Sequence, residues 1–197
     1  MIKPFLRLAV LIGLFPTAAS AHSGAGGPTD FVHGFLHPLG GGDHVLAMVA
    51  VGILAAHLGG RALWLVPISF VTVVAIGGAL GAAGFPLPFV EIGIGLSVVT
   101  LGLAIALQVS VPTLAAMGVA AFFAIFHGHA HGSEMIDRAF GLAYCLGFVT
   151  ATALLHGTGI ALGLSTGAIG AASGRRLAQV GGGAMALAGV ALLAGIL

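Results

Sequence analysis

The chain has 197 residues, of which 59% are hydrophobic and only 6% charged, with a mean hydropathy of +1.19 and a formal net charge of +1. Soluble domains carry about a quarter charged residues, so these few charges cannot cover a soluble core, and the expected class is an all-α polytopic membrane protein. No basic stripe is available to neutralise phosphates, which argues against nucleic acid as a partner and leaves the lipid bilayer as the expected surroundings.

The N-terminus reads as a secretory signal over residues 1–21. Lys3 and Arg7 form its basic region, "LAVLIGLF" its apolar core, and "AASA" an A-x-A-type cleavage site. Cleavage after Ala21 would start the mature domain, residues 22–197, at His22 on the periplasmic side of a bacterial inner membrane. Six apolar segments follow, at about 41–59, 62–83, 87–108, 112–132, 138–164 and 176–196, each near the ~20 residues that cross a bilayer. The breaks are "HLGGR", "GAAGFPLP", "VSVP", "GSEMIDR" and "AASGRR". Starting from outside, this order delivers Arg61, Arg175 and Arg176 to the cytoplasm, as the positive-inside rule requires, with only Arg138 opposite, beside Asp137. Cys145 is the single cysteine, so no intramolecular disulfide or cysteine metal site is available, and its apolar run predicts a small buried side chain. The many glycines inside the spans predict close helix packing.

Two stretches carry the chemistry. In "HGFLHPLGGGDH", His33 and His37 are four apart, and Pro38 with Gly40, Gly41 and Gly42 should interrupt any helix. Asp43 and His44 then open the first span, with Asp43 placed to cap it. In "FHGHAHGSE", His127 and His131 share one helical face, and Glu134 continues the stripe, whereas His129 points to the other side. Gly128 and Gly132 leave room for another helix or a ligand. Both stretches fall at the outer ends of their spans. Ionisable groups in spans mark ion or substrate routes, and imidazoles with carboxylates and no thiolate suit Ni²⁺, Co²⁺, Zn²⁺ or Cu²⁺. His22 could add an imidazole and, after cleavage, its amine. His156, with Thr158 nearby, is either a deeper station on a path or a helix–helix hydrogen bond. His57 reads as interfacial, Trp64 as an interfacial anchor, Glu91 as solvated, and Asp30 as a loop cap or an early ligand.

"HPLGGGDH" and "FHGHAHGSE" resemble the HPxxGxDH and FHGxAHGxE signatures of the HupE/UreJ nickel/cobalt permeases, and the likeness extends over the mature chain. The resemblance implies uptake of Ni²⁺ or Co²⁺, often in service of hydrogenase or urease maturation. It carries over His37, Asp43, His44, His127, His131 and Glu134 as the metal-recognition set; His33 and His129 fall outside the strict signatures and, with His22, stand as further candidate ligands. The implied protein is a secondary transporter and not an enzyme. The metal is its substrate, no cofactor is expected, and no P-loop is present to hydrolyse ATP. Two other classes compete on the same residues. One is an intramembrane metal-dependent hydrolase, for which no large polar substrate loop is evident. The other is a haem protein using paired histidines.

Overall fold

The computed structural model describes residues 31–134 and 142–196. The signal-peptide expectation, with His22, Asp30, Asp137 and Arg138, lies outside them. All regular structure among the described residues is helical: α1 (Phe31–Leu36), a 3₁₀ turn (His37–Leu39), α2 (Gly42–Leu58), α3 (Ala62–Ala82), α4 (Val90–Ala106), α5 (Thr113–Ser133), α6 (Leu142–Ala168) and α7 (Ala171–Leu193).

Helices α3, α5, α6 and α7 are each long and apolar enough to cross a membrane. The α1–turn unit and α2 together make a fifth candidate if taken as one span, bent by 84°. Helix α4 is apolar but has 17 residues, about 26 Å at 1.5 Å per residue, slightly less than the hydrocarbon core. The chain is thus a multi-pass membrane protein whose described helices give four or five candidate spans, where the sequence predicts six.

Composition alone explains why hydrophobic groups such as Leu114, Val180 and Leu187 can stay largely exposed on the bundle: they face the positions lipid would occupy. Inside, Met48, Val51, Val66, Phe70, Leu101 and Ile105 form one fully buried core. Helices pair through small residues. Along α3 and α5, a Cβ added at Gly128 would strike the Val74 carbonyl oxygen, and one at Gly132 would strike that of Gly78. Gly52 of α2 and Gly159 of α6 meet in the same way, the former against the His156 carbonyl and the latter against that of Val49. On α4 and α7, Gly102 and Gly182 approach each other's backbone. Without a hydrophobic drive between helices in lipid, such backbone-to-backbone approach supplies the van der Waals contact that holds a pair together.

Three expectations are corrected here. The last helix starts at Ala171, not near 176, because the break is Gly170, whose φ of +100° is a conformation that side-chain-bearing residues rarely adopt; Arg175 and Arg176 therefore lie in its first turns. The stretch before Asp43 is not simply irregular: it folds as α1 plus a 3₁₀ turn, with Pro38 early in the turn, where its missing N–H costs nothing. Cys145 is exposed, not buried, since an apolar run does not reveal which face of a lipid-surrounded helix points outward.

Candidate metal-binding site

The start of α2 and the end of α5, which carry His44, His127 and His131, lie with the 3₁₀ turn and the start of α6 at one end of the bundle. The opposite end carries a hollow of ≈ 170 Å³ lined by His57, Gln108, Thr166 and Arg175, among others. His57 and Trp64 are exposed there, and Glu91 is exposed at the start of α4.

The 3₁₀ turn brings His37 in from the side, over the end of α5. Its Nε2 lies 2.7 Å from His131 Nδ1 and 3.4 Å from Glu134 Oε2. His37, His131 and Glu134 each present one ligating atom, all within 4.8 Å of one another. This is the one gathering of three metal-type ligands that meets that limit among the described residues. Glu134 is two-thirds exposed and His37 about one-quarter, whereas His131 is buried, so the trio spans the boundary between solvent and interior. Nitrogens that share a tetrahedral metal at ~2.0–2.1 Å stand a little over 3 Å apart, so the two rings need part by only about half an ångström to admit an ion.

Behind the trio lies a second layer. The His44 ring is 4.2 Å from that of His131 and 4.7 Å from that of His127, centre to centre. Each of these deeper imidazoles has one nitrogen fixed. Asp43 Oδ1 accepts from the His44 backbone N–H at 2.8 Å and from His44 Nδ1 at 3.0 Å, so His44 donates through Nδ1 and its Nε2 carries the lone pair. The Ser97 hydroxyl donates its one proton to the Ile94 carbonyl at 2.6 Å, so at 2.8 Å it must accept from His127 Nε2, leaving the lone pair on Nδ1. His44 Nε2, His127 Nδ1 and His131 Nε2 are all buried with no hydrogen-bond partner among the described residues. Buried polar atoms are normally paired, and a ring held by one nitrogen with the other bare is the arrangement metal-ligating histidines use.

The remaining candidates divide. His129 sits on the other side of α5, as its position predicts, and bonds through Nε2 to the Phe85 carbonyl at 2.7 Å. That bond ties α5 to the loop after α3 and withdraws His129 from the site. His33 stands next to the site: its ring is 6.2 Å from that of His37 and 5.8 Å from that of Tyr144. Gly128 and Gly132 make room for α3. Asp43 does not cap α2 as expected: the N-cap is Gly41, and Asp43, in the first turn, instead holds His44 through its backbone N–H and Nδ1. Ser97 was missed by sequence reading, because nothing local in "GIGLSVVT" reveals a partner 30 residues away. Its one signal is a hydroxyl inside a mostly apolar span, a signal it shares with Thr100.

Comparison with known proteins places these residues in context. The family model described as HupE / UreJ protein matches residues 9–192. The chain is similar to Protein HupE of Rhizobium leguminosarum bv. viciae, with 48% identity over 180 residues, covering 91% of this chain and 92% of that one. No solved structure matches.

Proposed function

Since the chain belongs to the HupE/UreJ family, we propose that it is a secondary transporter that takes up divalent transition-metal ions, Ni²⁺ foremost and Co²⁺ second, across the bacterial inner membrane. The observation that carries this reading is the trio of His37, His131 and Glu134, half open to solvent, with His44 and His127 stacked behind it. In this reading the trio faces the periplasm, where the mature N-terminus and His22 also lie, and the helices make six crossings. The trio exchanges part of the ion's hydration shell for two imidazoles and a carboxylate. His131 belongs to both layers, touching His37 outside and His44 inside, so it passes the ion inward without full rehydration.

The ligand set is mixed and partly open, which favours release as well as capture. Nitrogen and oxygen donors without thiolate suit Ni²⁺ or Co²⁺ over Ca²⁺ or Mg²⁺. An inside-negative potential supplies ~2.3 kcal/mol per charge per 100 mV, twice that for a divalent ion, so no nucleotide is required. Downstream, the metal would serve maturation of nickel enzymes such as hydrogenase or urease. The test is radiolabelled Ni²⁺ uptake into proteoliposomes holding the purified chain under an imposed inside-negative potential. Saturable uptake that Co²⁺ competes is expected; uptake equal to that of empty liposomes would reject the reading.

A further inference from the structure

His156 is not in either histidine signature and is not used by the site above. It lies near the middle of α6, 12 residues beyond Tyr144, which is about 18 Å along the helix axis. Its side chain is buried, at 2% exposure, and no group among the described residues bonds to either of its ring nitrogens. One turn earlier on the same face, Thr152 is equally buried, at 1%, and its hydroxyl also has no partner. Thr158, the neighbour the sequence points to, instead turns outward and donates to the Leu154 carbonyl at 2.9 Å. The helix–helix hydrogen bond, one of the two readings open for His156, is therefore absent among the described residues. Three polar atoms are left facing the bundle interior at mid-depth, where an unsatisfied polar group is costly and a reason for keeping it is required.

The surroundings of His156 supply that reason. Phe70, fully buried, is the aromatic residue between it and the histidine site: its ring lies 5.8 Å from that of His127 and 5.2 Å from that of His156, edge to face with the latter. On α2, Gly52 packs against the His156 backbone two turns inward of His44, so the same two helices run from the site to this depth. Continuing along both leads to the hollow at the opposite end, where His57 and Thr166 line the wall. Arg175 also lines that hollow, so the hollow itself does not attract a cation.

We propose that His156, with the Thr152 hydroxyl, is a second and weaker binding station for the transported divalent cation, reached from His127 past the Phe70 ring. This rests on the transporter reading. One imidazole and one hydroxyl cannot hold a divalent ion tightly, which is what an intermediate station on a conducting path needs. Phe70 separates the two stations, so an ion moving between them passes against an aromatic ring, whose face attracts cations.

Two variants test this in proteoliposomes, with Ni²⁺ as the probe. His156→Leu keeps the volume and removes both nitrogens. Ni²⁺ binding at the outer site, measured by titration calorimetry, should stay within about twofold of wild type, while Ni²⁺ uptake falls by roughly tenfold or more. His156→Cys, made in a Cys145→Ala background, should still carry Ni²⁺ slowly and become blockable by Cd²⁺, which a thiolate captures. Cd²⁺ should block it much more strongly than the Cys145→Ala parent. Wild-type uptake in His156→Leu, or a His156→Cys protein no more sensitive to Cd²⁺ than its parent, overturns the proposal. If His156→Leu cannot be purified folded, Thr152→Val carries the same expectation of reduced uptake with retained binding. A wild-type chain that carries no Ni²⁺ overturns both this and the transporter reading, so the two failures are distinguishable.

Discussion

Replacing Ser97 with Ala tests whether the deeper histidines are held for metal binding. The Ser97 hydroxyl is committed to the Ile94 carbonyl, so it can only accept from His127 Nε2–H, and that bond is what leaves Nδ1 bare. In Ser97→Ala the Nε2–H becomes a buried donor without a partner, a penalty of about 1–3 kcal/mol. The ring escapes it by moving its proton to Nδ1 or by turning, and either response withdraws the lone pair from the site. Loss of such an orienting partner costs about 10–100-fold in metal affinity, or about 1.4–2.8 kcal/mol. The assay is Ni²⁺ titration calorimetry on purified protein in nanodiscs, paired with uptake, and with thermal unfolding to show that the variant is folded. Ser97→Thr keeps the hydroxyl and should recover most of the affinity. A folded Ser97→Ala protein that binds and transports Ni²⁺ within twofold of wild type would refute the assignment of His127 as a ligand.

Other outcomes follow from the same geometry. His131→Ala should reduce Ni²⁺ affinity more than His37→Ala or His44→Ala, because His131 contacts both; in a cycle with His37→Ala the losses should be markedly non-additive, and simple additivity would separate the two residues. Gly128→Ala places a Cβ on the Val74 carbonyl and should lower the unfolding temperature or the yield sharply. Gly118→Ala, on the same helix with nothing within 4 Å, should be neutral or stabilise by up to about 1 kcal/mol, and equal effects of the two would show that α3–α5 contact is not what Gly128 provides. A metal can use only the unprotonated nitrogen of an imidazole, so protons compete with Ni²⁺, and apparent affinity should fall as external pH drops from 7.5 to 5.5; a flat profile would mean that no imidazole of the site takes up a proton over that range.

Much of the bundle can be read from the chain, because the spans differ so strongly from their breaks. Five of the six expected segments match a helix to within a few residues at each end, and the sixth misses only its start, where Gly170 and not "AASGRR" makes the break. The shared stripe of His127 and His131 is likewise legible, since a spacing of four fixes a common face. So is the placement of His129 on the other face, although the sequence reading kept it among the candidate ligands and the Phe85 carbonyl it bonds, 44 residues away, could not be named. What local pattern cannot supply is which residues of different helices meet. The Ser97–His127 bond, the choice of Thr152 over Thr158 beside His156, and the outward turn of Cys145 all depend on how far each helix is rotated about its axis. In a chain this apolar, the two sides of a helix look alike. The 84° bend at Gly40 and Gly41 was visible as an interruption, but not as the device that swings His37 across to Glu134.

The glycine contacts have a mechanical corollary. They fasten α3 to α5, α2 to α6 and α4 to α7 by direct backbone apposition, so each couple must move as one body. His127 and His131 ride on the first couple and His44 on the second, with His37 in the turn that leads into it, while Ser97, on the third, holds His127. A cation seated among the histidines would act as a rivet through two plates, and letting it go would require the plates to slip. Metal loading should therefore stiffen the whole bundle, visible as a rise in unfolding temperature that grows with Ni²⁺ concentration.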